Sequence, residues 1–343
     1  MLETPERTHE NELGDVHIAP ADRPRRLRAT AVTRALVRET RLSPRQLVAP
    51  VFVVPGRGRR EPIGAMPGHE RLSADLAVEY ARRLAELRIG GLLLFGVPDT
   101  KDDMGHGAAD PAGPVPATLR LLREADLPIV LMADVCLCEY TSHGHCGVLD
   151  GKTVDNDRSL PLLGAAAVAY AEAGADIVAP SAMMDGQVLA LRTALDEAGD
   201  TSTAIMAYAS KHASFLYGPF REAAGSTPGF GDRRSYQMDP ANAREAMREI
   251  DLDAQEGADI LMVKPAITSL DLLARARERF DVPLAAYQVS GEFAMVEAAA
   301  QRSWIDRRGA AMETLTAIRR AGADVIMTYF AEDVARWLAE ESP

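Results

Sequence analysis

The sequence predicts a (β/α)8 barrel with an extended N-terminal arm, and three observations support this fold class. Eight near-continuous apolar runs alternate with amphipathic stretches from residue 47 onward, as is typical of parallel strands covered on both faces. The tetrapeptides AGAD, EGAD and AGAD recur at 173–176, 256–259 and 321–324, each between a helical pattern and an apolar run. The chain of 343 residues is also long enough for one large α/β barrel.

The N-terminal arm is predicted over residues 1–42, and the catalytic barrel over residues 43–343. The first forty-odd residues are rich in Arg, Glu and Pro and show weak apolar periodicity. Such a segment cannot bury enough apolar surface to form its own core. We therefore expect the arm to be either disordered or docked on a partner.

The barrel elements follow from the spacing of the apolar runs. The predicted strands are 47–54, 90–97, 127–135, 175–181, 203–210, 258–264, 283–290 and 323–330. Helical patterns between them include Ala74–Leu87, Gly164–Glu172, Ala241–Gln255 and Leu270–Arg279. The glycine of each recurring tetrapeptide suits the left-handed position just past a helix end. An open doubly wound sheet is the alternative fold, but no glycine-rich phosphate fingerprint follows the first strand.

Composition excludes several classes of function. The formal net charge is -12 and the isoelectric point is about 5.2, which argues against a nucleic-acid-binding surface. No apolar run approaches the roughly 18 residues of a membrane span, and the polar N-terminus has no apolar core of a secretory signal. The three cysteines lie within eleven residues. This clustering suits metal or redox chemistry in the cytoplasm better than a disulfide framework.

Polar residues stand at the C-terminal ends of the predicted strands. Five residues beyond the Asp of each recurring tetrapeptide are Ser181, Lys264 and Tyr329. The other runs contribute Asp134, Lys211 and Ser290. Because active sites of barrels lie at this end, we expect these side chains to converge on one mouth. The alternative is that these residues are polar only because strand ends are more exposed to solvent than strand middles.

Two lysines stand out because the chain otherwise uses arginine. Only four of its 38 basic residues are lysine: Lys101, Lys152, Lys211 and Lys264. Lys264 ends the apolar run DILMVK, and Lys211 follows AIMAYAS in the same way. A desolvated lysine has a lowered pKa and can form a Schiff base with a ketone or aldehyde. The alternative for Lys264 and Lys211 is a structural lysine that donates hydrogen bonds to carbonyl groups at the strand end. Lys101 and Lys152 lie in polar loops, and we interpret them as residual sequence drift without a function.

The cysteine loop (134–147) reads DVCLCEYTSHGHCG and holds Cys136, Cys138 and Cys146. Three thiolates with an open fourth position are typical of a zinc site that can take water or substrate. A closed structural site would need a fourth protein ligand, such as His143 or His145. Three inert buried thiols remain a further alternative.

The arginine-bearing loop (212–237) follows Lys211 and contains four glycines together with Arg221, Arg233 and Arg234. Loops of this length in a compact domain are typically lids or binding loops. Arginines on such a loop can hold a substrate carboxylate through paired hydrogen bonds. A solvated loop without such a role is the alternative.

Seven motifs together resemble one known family, the 5-aminolevulinate dehydratases, also called porphobilinogen synthases. They are DVCLCEYTSHGHCG, APSAMMDGQV, YASKHASFLYGPFREA, GDRRSYQMDP, LMVKPA, YQVSGEFAM and TYFAEDVARWL. The resemblance runs from about Ala49 to Leu338. It implies a (β/α)8 barrel with an N-terminal arm. It also implies the condensation of two molecules of 5-aminolevulinate to porphobilinogen, in tetrapyrrole synthesis.

The resemblance also implies roles for individual residues. Lys264 would form the Schiff base with the propionate-side substrate, whose carboxylate Ser290 and Tyr329 would hold. Lys211 would bind the acetate-side substrate. The resemblance places Arg221, Arg233 and Gln237 at the carboxylate of this second substrate. It also implies that Asp134 and Ser181 lie near the substrate amino group and that Tyr217 lines the pocket under the loop.

Metals and assembly are implied in the same way. Cys136, Cys138 and Cys146 would bind a catalytic Zn2+, Glu249 matches an allosteric Mg2+ position, and the chain would form a homo-octamer. Two residues depart from the family pattern: Ala182 replaces a common Asp, and Gln187 replaces a common Arg. A class I aldolase with one lysine and a non-catalytic zinc-binding barrel are the alternatives, and neither accounts for two lysines beside three cysteines.

Overall fold

The computed structural model describes residues 7–10, 16–19 and 23–341. These residues fall into two compact units that divide between Arg41 and Leu42. The predicted arm is therefore described in part, since residues 1–6, 11–15 and 20–22 lie outside the described residues.

The first unit consists of short elements. Strands Arg7–Glu10 and Val16–Ala19 pair antiparallel. A 3-10 turn at Pro24–Arg28 precedes the helix Ala31–Leu36, which Thr30 caps by accepting a hydrogen bond from the Thr33 backbone. None of residues 23–41 is buried, so this part of the arm has no core of its own.

The second unit is a closed barrel of eight parallel strands, which confirms the predicted fold class. The strands are β1 (Leu47–Val54), β2 (Gly91–Gly96), β3 (Val130–Val135), β4 (Ile177–Pro180), β5 (Ala204–Lys211), β6 (Ile260–Lys264), β7 (Leu284–Gln288) and β8 (Val325–Thr328). Each strand pairs with the next, and β8 pairs with β1 through Ile326 and Leu47. Two short strands, Arg60–Pro62 and Glu70–Ser73, extend the sheet beside β1.

Helices surround the barrel. They are α1 (Ala74–Glu86), α2 (Pro114–Glu124), α3 (Asn156–Glu172), α4 (Gln187–Glu197), α5 (Gly218–Ala223), α6 (Ala243–Gln255), α7 (Leu270–Arg279), α8 (Ser290–Gln301), α9 (Arg307–Ala321) and α10 (Ala331–Glu341). Helix α3 begins eight residues before the predicted start, because Asp155 caps it at the Arg158 backbone despite a proline inside the helix. Within the described residues, no helix is long and apolar enough to cross a membrane.

The recurring tetrapeptides have a structural role at the N-terminal ends of the strands. Gly174, Gly257 and Gly322 have φ angles of 106°, 102° and 129°, so the predicted left-handed glycines are confirmed. The Asp of each tetrapeptide accepts a backbone hydrogen bond from a neighbouring strand. The pairs are Asp176 with Leu131, Asp259 with Ile205 and Asp324 with Leu284, at 2.8, 2.8 and 3.1 Å. The repeat therefore aligns adjacent strands.

A bulge in β5 places the two candidate lysines side by side. Ala207 pairs with Leu261 and Ser210 with Val263, so three steps along β5 match two steps along β6. Beyond this extra residue, Lys211 pairs directly with Lys264. Because side chains alternate between the two faces of a strand, one extra residue reverses the facing of everything after it. The bulge therefore gives Lys211 the same facing as Lys264.

Candidate active site

Lys264 and Lys211 are the last residues of adjacent strands, and each is only 5% exposed. Burial, and then the charge of Lys211, lower the pKa of Lys264 to about 7. The Lys211 Nζ donates a hydrogen bond of 2.5 Å to the Ser181 carbonyl oxygen. The barrel mouth thus holds two neighbouring amines, one of which is substantially neutral near pH 7.

Four aromatic rings surround the Lys264 amine. Its Nζ lies 4.2 Å from the Tyr287 ring centroid, 4.9 Å from that of Tyr208, and 5.2 Å from those of Tyr217 and Phe220. Attraction to ring faces favours the ammonium form, whereas burial lowers the pKa of the amine. These rings leave the amine in a largely water-free cage, which we call the Lys264 cage.

Asp134 is the acidic group nearest the two lysines in the barrel mouth. Its Oδ2 accepts a hydrogen bond of 2.9 Å from the Ser181 hydroxyl, while its Oδ1 is buried without a partner among the described residues. Burial raises the pKa of Asp134 to about 6, although the charges of Lys211 and Lys264 oppose the rise. A carboxyl group with this pKa can take up or release a proton near neutrality.

The three cysteines of the cysteine loop form a buried cluster. Their Sγ atoms all lie within 4.8 Å of one another, and those of Cys136 and Cys138 are 3.4 Å apart. Tetrahedral zinc with Zn–S bonds of about 2.3 Å requires sulfur atoms roughly 3.8 Å apart. All three cysteines are free thiols, so the donor set and its spacing fit zinc.

Neither histidine of the cysteine loop is a member of this cluster. The His145 Nε2 lies 3.1 Å from the Phe230 carbonyl oxygen, and its Nδ1 lies 3.1 Å from the Tyr236 hydroxyl. The His143 Nε2 lies 3.1 Å from the Asp103 carbonyl oxygen. Among the described residues, the cluster therefore offers three candidate protein ligands, the number typical of catalytic zinc sites.

These histidines instead connect the cysteine loop to the arginine-bearing loop. Besides the contacts of His145, the Gly229 backbone donates to the His143 carbonyl oxygen at 2.9 Å. The Arg233 Nη2 donates to the Gly144 carbonyl oxygen at 2.9 Å, and the Cys146 backbone donates to the Tyr236 hydroxyl at 3.4 Å. The two loops are therefore one hydrogen-bonded unit.

A cavity of about 100 Å³ in the arginine-bearing loop is lined by Arg221, Arg233 and Gln237. Both side-chain amide atoms of Gln237 and the Nε atoms of both arginines are buried without a hydrogen-bond partner among the described residues. Burial, and then the charge of Arg233, lower the pKa of Arg221, yet a guanidinium stays charged. Two close cations beside unpaired donors suit a carboxylate. The loop is partly helical, since it contains α5.

Tyr217 is one wall of the Lys264 cage, and Ser290 and Tyr329 contact two of its other walls. Ser290 begins α8, and its Oγ accepts a hydrogen bond of 2.9 Å from the Phe220 backbone. The Tyr329 hydroxyl lies 3.0 Å from that of Tyr287, and the Tyr217 hydroxyl donates to the His212 carbonyl oxygen at 2.8 Å. All three predicted residues are buried around the Lys264 cage.

Glu249 lies on α6 and not at a strand end. It lines a cavity of about 90 Å³ with Asp185, Asp253 and Glu256. Burial, and then Asp185, raise the pKa of Glu249, and burial raises that of Asp253 to about 8. This cluster of carboxylates is separate from the lysines and the cysteines.

The two departures from the family pattern are both buried beside the mouth. Ala182 directly follows Ser181 and is fully buried. Gln187 begins α4, and its Oε1 accepts a hydrogen bond of 3.4 Å from the Met184 backbone. Gln187 therefore braces the turn that follows β4.

Several residues of the site escaped the sequence analysis. Tyr208, Tyr287 and Phe220 form most of the Lys264 cage, and Tyr236 connects the two loops. An aromatic residue in an apolar run just before a strand-end lysine is a signal that could have identified Tyr208. Lys101, interpreted as drift from the sequence, has a half-buried amine that donates a hydrogen bond of 2.6 Å to the Gly225 carbonyl oxygen.

Comparisons with known proteins identify the family. The model of the Delta-aminolevulinic acid dehydratase family matches residues 21–337. The chain is 52% identical to the Delta-aminolevulinic acid dehydratase of Synechococcus elongatus, with 93% of this chain and 99% of the relative covered. It is 53% identical to that of Mycobacterium tuberculosis, with 93% and 98% covered.

A solved structure agrees with these relatives. The delta-aminolevulinic acid dehydratase of Toxoplasma gondii, solved in complex with the reaction product porphobilinogen, superimposes with a TM-score of 0.93. It is 42% identical, and the match covers 97% of this chain and 96% of that one. From the family match and these near-full-length relatives, this chain belongs to the Delta-aminolevulinic acid dehydratase family.

Proposed function

We propose that this protein condenses two molecules of 5-aminolevulinate to porphobilinogen, with loss of two waters, through Schiff bases on Lys264 and Lys211. The observation that carries the proposal is the direct pairing of these two buried lysines at the barrel mouth. 5-Aminolevulinate has a ketone for an amine to attack and a carboxylate for the surrounding donors to hold. A class I aldolase needs only one such lysine, and a non-catalytic zinc-binding barrel needs neither.

Lys264 takes the first substrate in this proposal. Its neutral amine attacks the ketone carbon, and loss of water leaves the imine. Ser290 and Tyr329 hold the carboxylate of this substrate, and Tyr217 closes the cage over it. Support comes from the burial of all three side chains around the amine.

Lys211 takes the second substrate, whose carboxylate binds in the cavity of Arg221, Arg233 and Gln237. The unpaired buried donors of that cavity support this assignment. Asp134 holds or moves a proton beside the substrate amino group, and Ser181 orients the carboxylate of Asp134 by its hydrogen bond. Because β5 and β6 are adjacent strands, the two binding sites hold the two substrates next to each other.

Zinc is the proposed cofactor, held by Cys136, Cys138 and Cys146. When bound, it supplies a Lewis acid beside the second substrate. The sulfur spacing and the three-ligand set support this assignment. We place the reaction in the cytoplasm, because three free thiols suit a reducing compartment.

Turnover of 5-aminolevulinate tests the proposal most directly. Formation of porphobilinogen should be measured before and after treatment with a zinc chelator, and again after zinc is restored. Activity that is lost and then recovered supports the proposal. A metal-loaded protein that leaves 5-aminolevulinate unchanged would contradict it.

The arm is proposed to hold a homo-octamer together by wrapping a neighbouring barrel. Val32 and Leu36 lie four residues apart on the arm helix, and each is 79% exposed, so an apolar stripe has no cover within the described part of one chain. Light scattering should show that a protein truncated to begin at Ser43 has a smaller assembly mass than the full chain. Equal masses would contradict the proposal.

Magnesium is proposed to stimulate activity through Glu249. The carboxylates around Glu249 are hard oxygen ligands of the kind that Mg2+ prefers. Because Glu249 lies on α6 and not at a strand end, we expect the metal to act through assembly or loop order. A magnesium titration of Glu249→Ala should be flat, while Glu278→Ala, which removes an exposed carboxylate on α7, should respond like the wild type. A normal response in Glu249→Ala would refute this role.

A further inference from the structure

Glu292 is a buried carboxylate on the first turn of α8, and its charge interacts with that of Lys264. It is 1% exposed, and no ion pair among the described residues includes it. Its Oε2 accepts a hydrogen bond of 2.6 Å from the Val289 backbone, and its Oε1 accepts one of 2.7 Å from the Ile267 backbone. Burying a carboxylate is costly unless hydrogen bonds satisfy it, so these two contacts explain how it is tolerated.

The contact with Ile267 fixes the turn that follows Lys264. Pro265 has no N–H group, so the first backbone donors after Lys264 are those of Ala266 and Ile267. The Ala266 backbone donates to the Tyr287 carbonyl oxygen at 2.9 Å, which attaches the turn to β7. The Ile267 backbone donates to Glu292, which attaches the turn to α8. Glu292 therefore sets the position of the Lys264 backbone relative to the Tyr287 ring.

The same turn of α8 also contacts the beginning of the arginine-bearing loop. Ser290 accepts a hydrogen bond from the Phe220 backbone. Gly291 packs so closely on Leu216 that a Cβ atom there would lie 2.5 Å from the Leu216 carbonyl oxygen. Phe220 is one wall of the Lys264 cage, and Tyr287 is another. The start of α8 thus joins two walls of the cage.

Charge connects Glu292 to Lys264 as well. Burial raises the pKa of Glu292 to about 7, and the charge of Lys264 is among the groups that oppose this rise. The same interaction, seen from the lysine, favours the ammonium form. The other ionisable groups that act on Lys264 are Lys211 on β5, Asp134 on β3, and Cys138 and Glu139 in the cysteine loop.

We propose that Glu292 is a positioning residue for Lys264, which holds the turn at 264–267 and the walls of the Lys264 cage in one arrangement. This inference rests on the proposed function, because it assumes that Lys264 forms the imine. Glu292 does not contact the substrate. It acts by presenting the amine at a fixed place, and small misplacements of a reacting group are costly in rate.

Borohydride trapping of the imine on Lys264 tests this role. Trapping rates should be measured with 5-aminolevulinate across pH for wild type, Glu292→Gln and Glu292→Asp, alongside melting temperatures. In Glu292→Gln, an amide N–H2 must face a backbone N–H, so trapping should slow by roughly 10- to 100-fold. Loss of the negative charge should also move the acid limb of the pH profile to lower pH. Glu292→Asp keeps the negative charge but has a shorter side chain that no longer reaches the turn. Trapping should therefore slow while the acid limb of the pH profile stays in place.

Asp306→Ala is the control for a general loss of stability. Asp306 caps α9 by accepting a hydrogen bond of 2.6 Å from the Gly309 backbone, and alanine has no side-chain acceptor, so this variant loses a helix cap away from the Lys264 cage. It should lower the melting temperature and leave trapping unchanged. Wild-type trapping in Glu292→Gln, or equal slowing in Asp306→Ala, would overturn the positioning role. A wild-type protein that forms no adduct on Lys264 would instead overturn the proposed function, and this inference with it.

Discussion

Replacement of Lys264 by arginine should reduce porphobilinogen formation by roughly 10⁴-fold or more, the range typical of a lost covalent nucleophile. Arginine keeps the positive charge and much of the length, but it stays protonated and cannot form an imine. The substitution therefore separates nucleophilic chemistry from electrostatics, in a chain that otherwise prefers arginine. Substrate with borohydride should leave a covalent adduct on Lys264 in the wild type and none in the variant, as peptide mapping of the reduced protein would show.

The pH profile should follow the lowered pKa of Lys264. The amine attacks only when neutral, so wild-type trapping should rise with pH through about 7 and then level off. Lys152→Arg is the matched control, because Lys152 is exposed in a turn, and it should trap and turn over normally. Lys211→Arg should lose turnover yet still trap one substrate on Lys264. An adduct found only on Lys101 or Lys152, or an active Lys264→Arg protein, would exclude the two-lysine mechanism.

Replacement of any one of the three cysteines by serine should remove zinc and reduce activity by at least about 100-fold. A serine hydroxyl is a harder and weaker donor than a thiolate, so the remaining two sulfur atoms should no longer favour zinc. Metal analysis of the purified variants should show less than one zinc per chain, and circular dichroism should show the fold retained. The fold should be retained because the eight strands pair through backbone hydrogen bonds, whereas the cysteines follow β3 in a loop.

Ser142→Ala is the control for the cysteine variants. The Ser142 hydroxyl donates a hydrogen bond of 2.5 Å to Asp103, so its removal perturbs the same loop without removing a sulfur ligand. It should keep zinc and most activity. Full turnover by a zinc-free protein would show that the cysteines serve another purpose.

The fold was largely predictable because strands buried on both faces of a parallel sheet are near-continuous apolar runs. All eight strands lie inside the predicted apolar runs or extend them by a residue, as Lys211 does. Helix boundaries were harder to predict. Asp155 starts α3 through a side-chain cap, and the polar residues of its first turn show no apolar period. The bulge in β5 could not be predicted from the sequence, because it is defined by how β5 pairs with β6.

The site was predictable where strand ends converge and less so where loops meet. Asp134, Ser181, Lys211 and Lys264 follow from the geometry of a barrel. The alternatives for His143 and His145 could be separated only by contacts with residues some ninety positions away, such as Tyr236. Glu292 was missed for the same reason, since its partner Ile267 belongs to a different strand-to-helix turn.

The bulge between Ala207 and Ser210 has a consequence for how this chemistry tolerates changes in chain length. Two residues of β5, Tyr208 and Ala209, lie between the pairs that on β6 are separated by Met262 alone, and the pairing is regular again from Ser210. Deleting one codon at the bulge would therefore restore an unbroken ladder that still ends with Lys211 opposite Lys264. An insertion or deletion that no bulge absorbs would instead shift Lys211 by one place and point its amine toward the outer helices. A barrel with one inward amine is equipped for aldolase-like chemistry, and a barrel with two can join a pair of ketones. Whether a change in the length of β5 preserves the reaction class thus depends on whether the ladder absorbs it before Lys211.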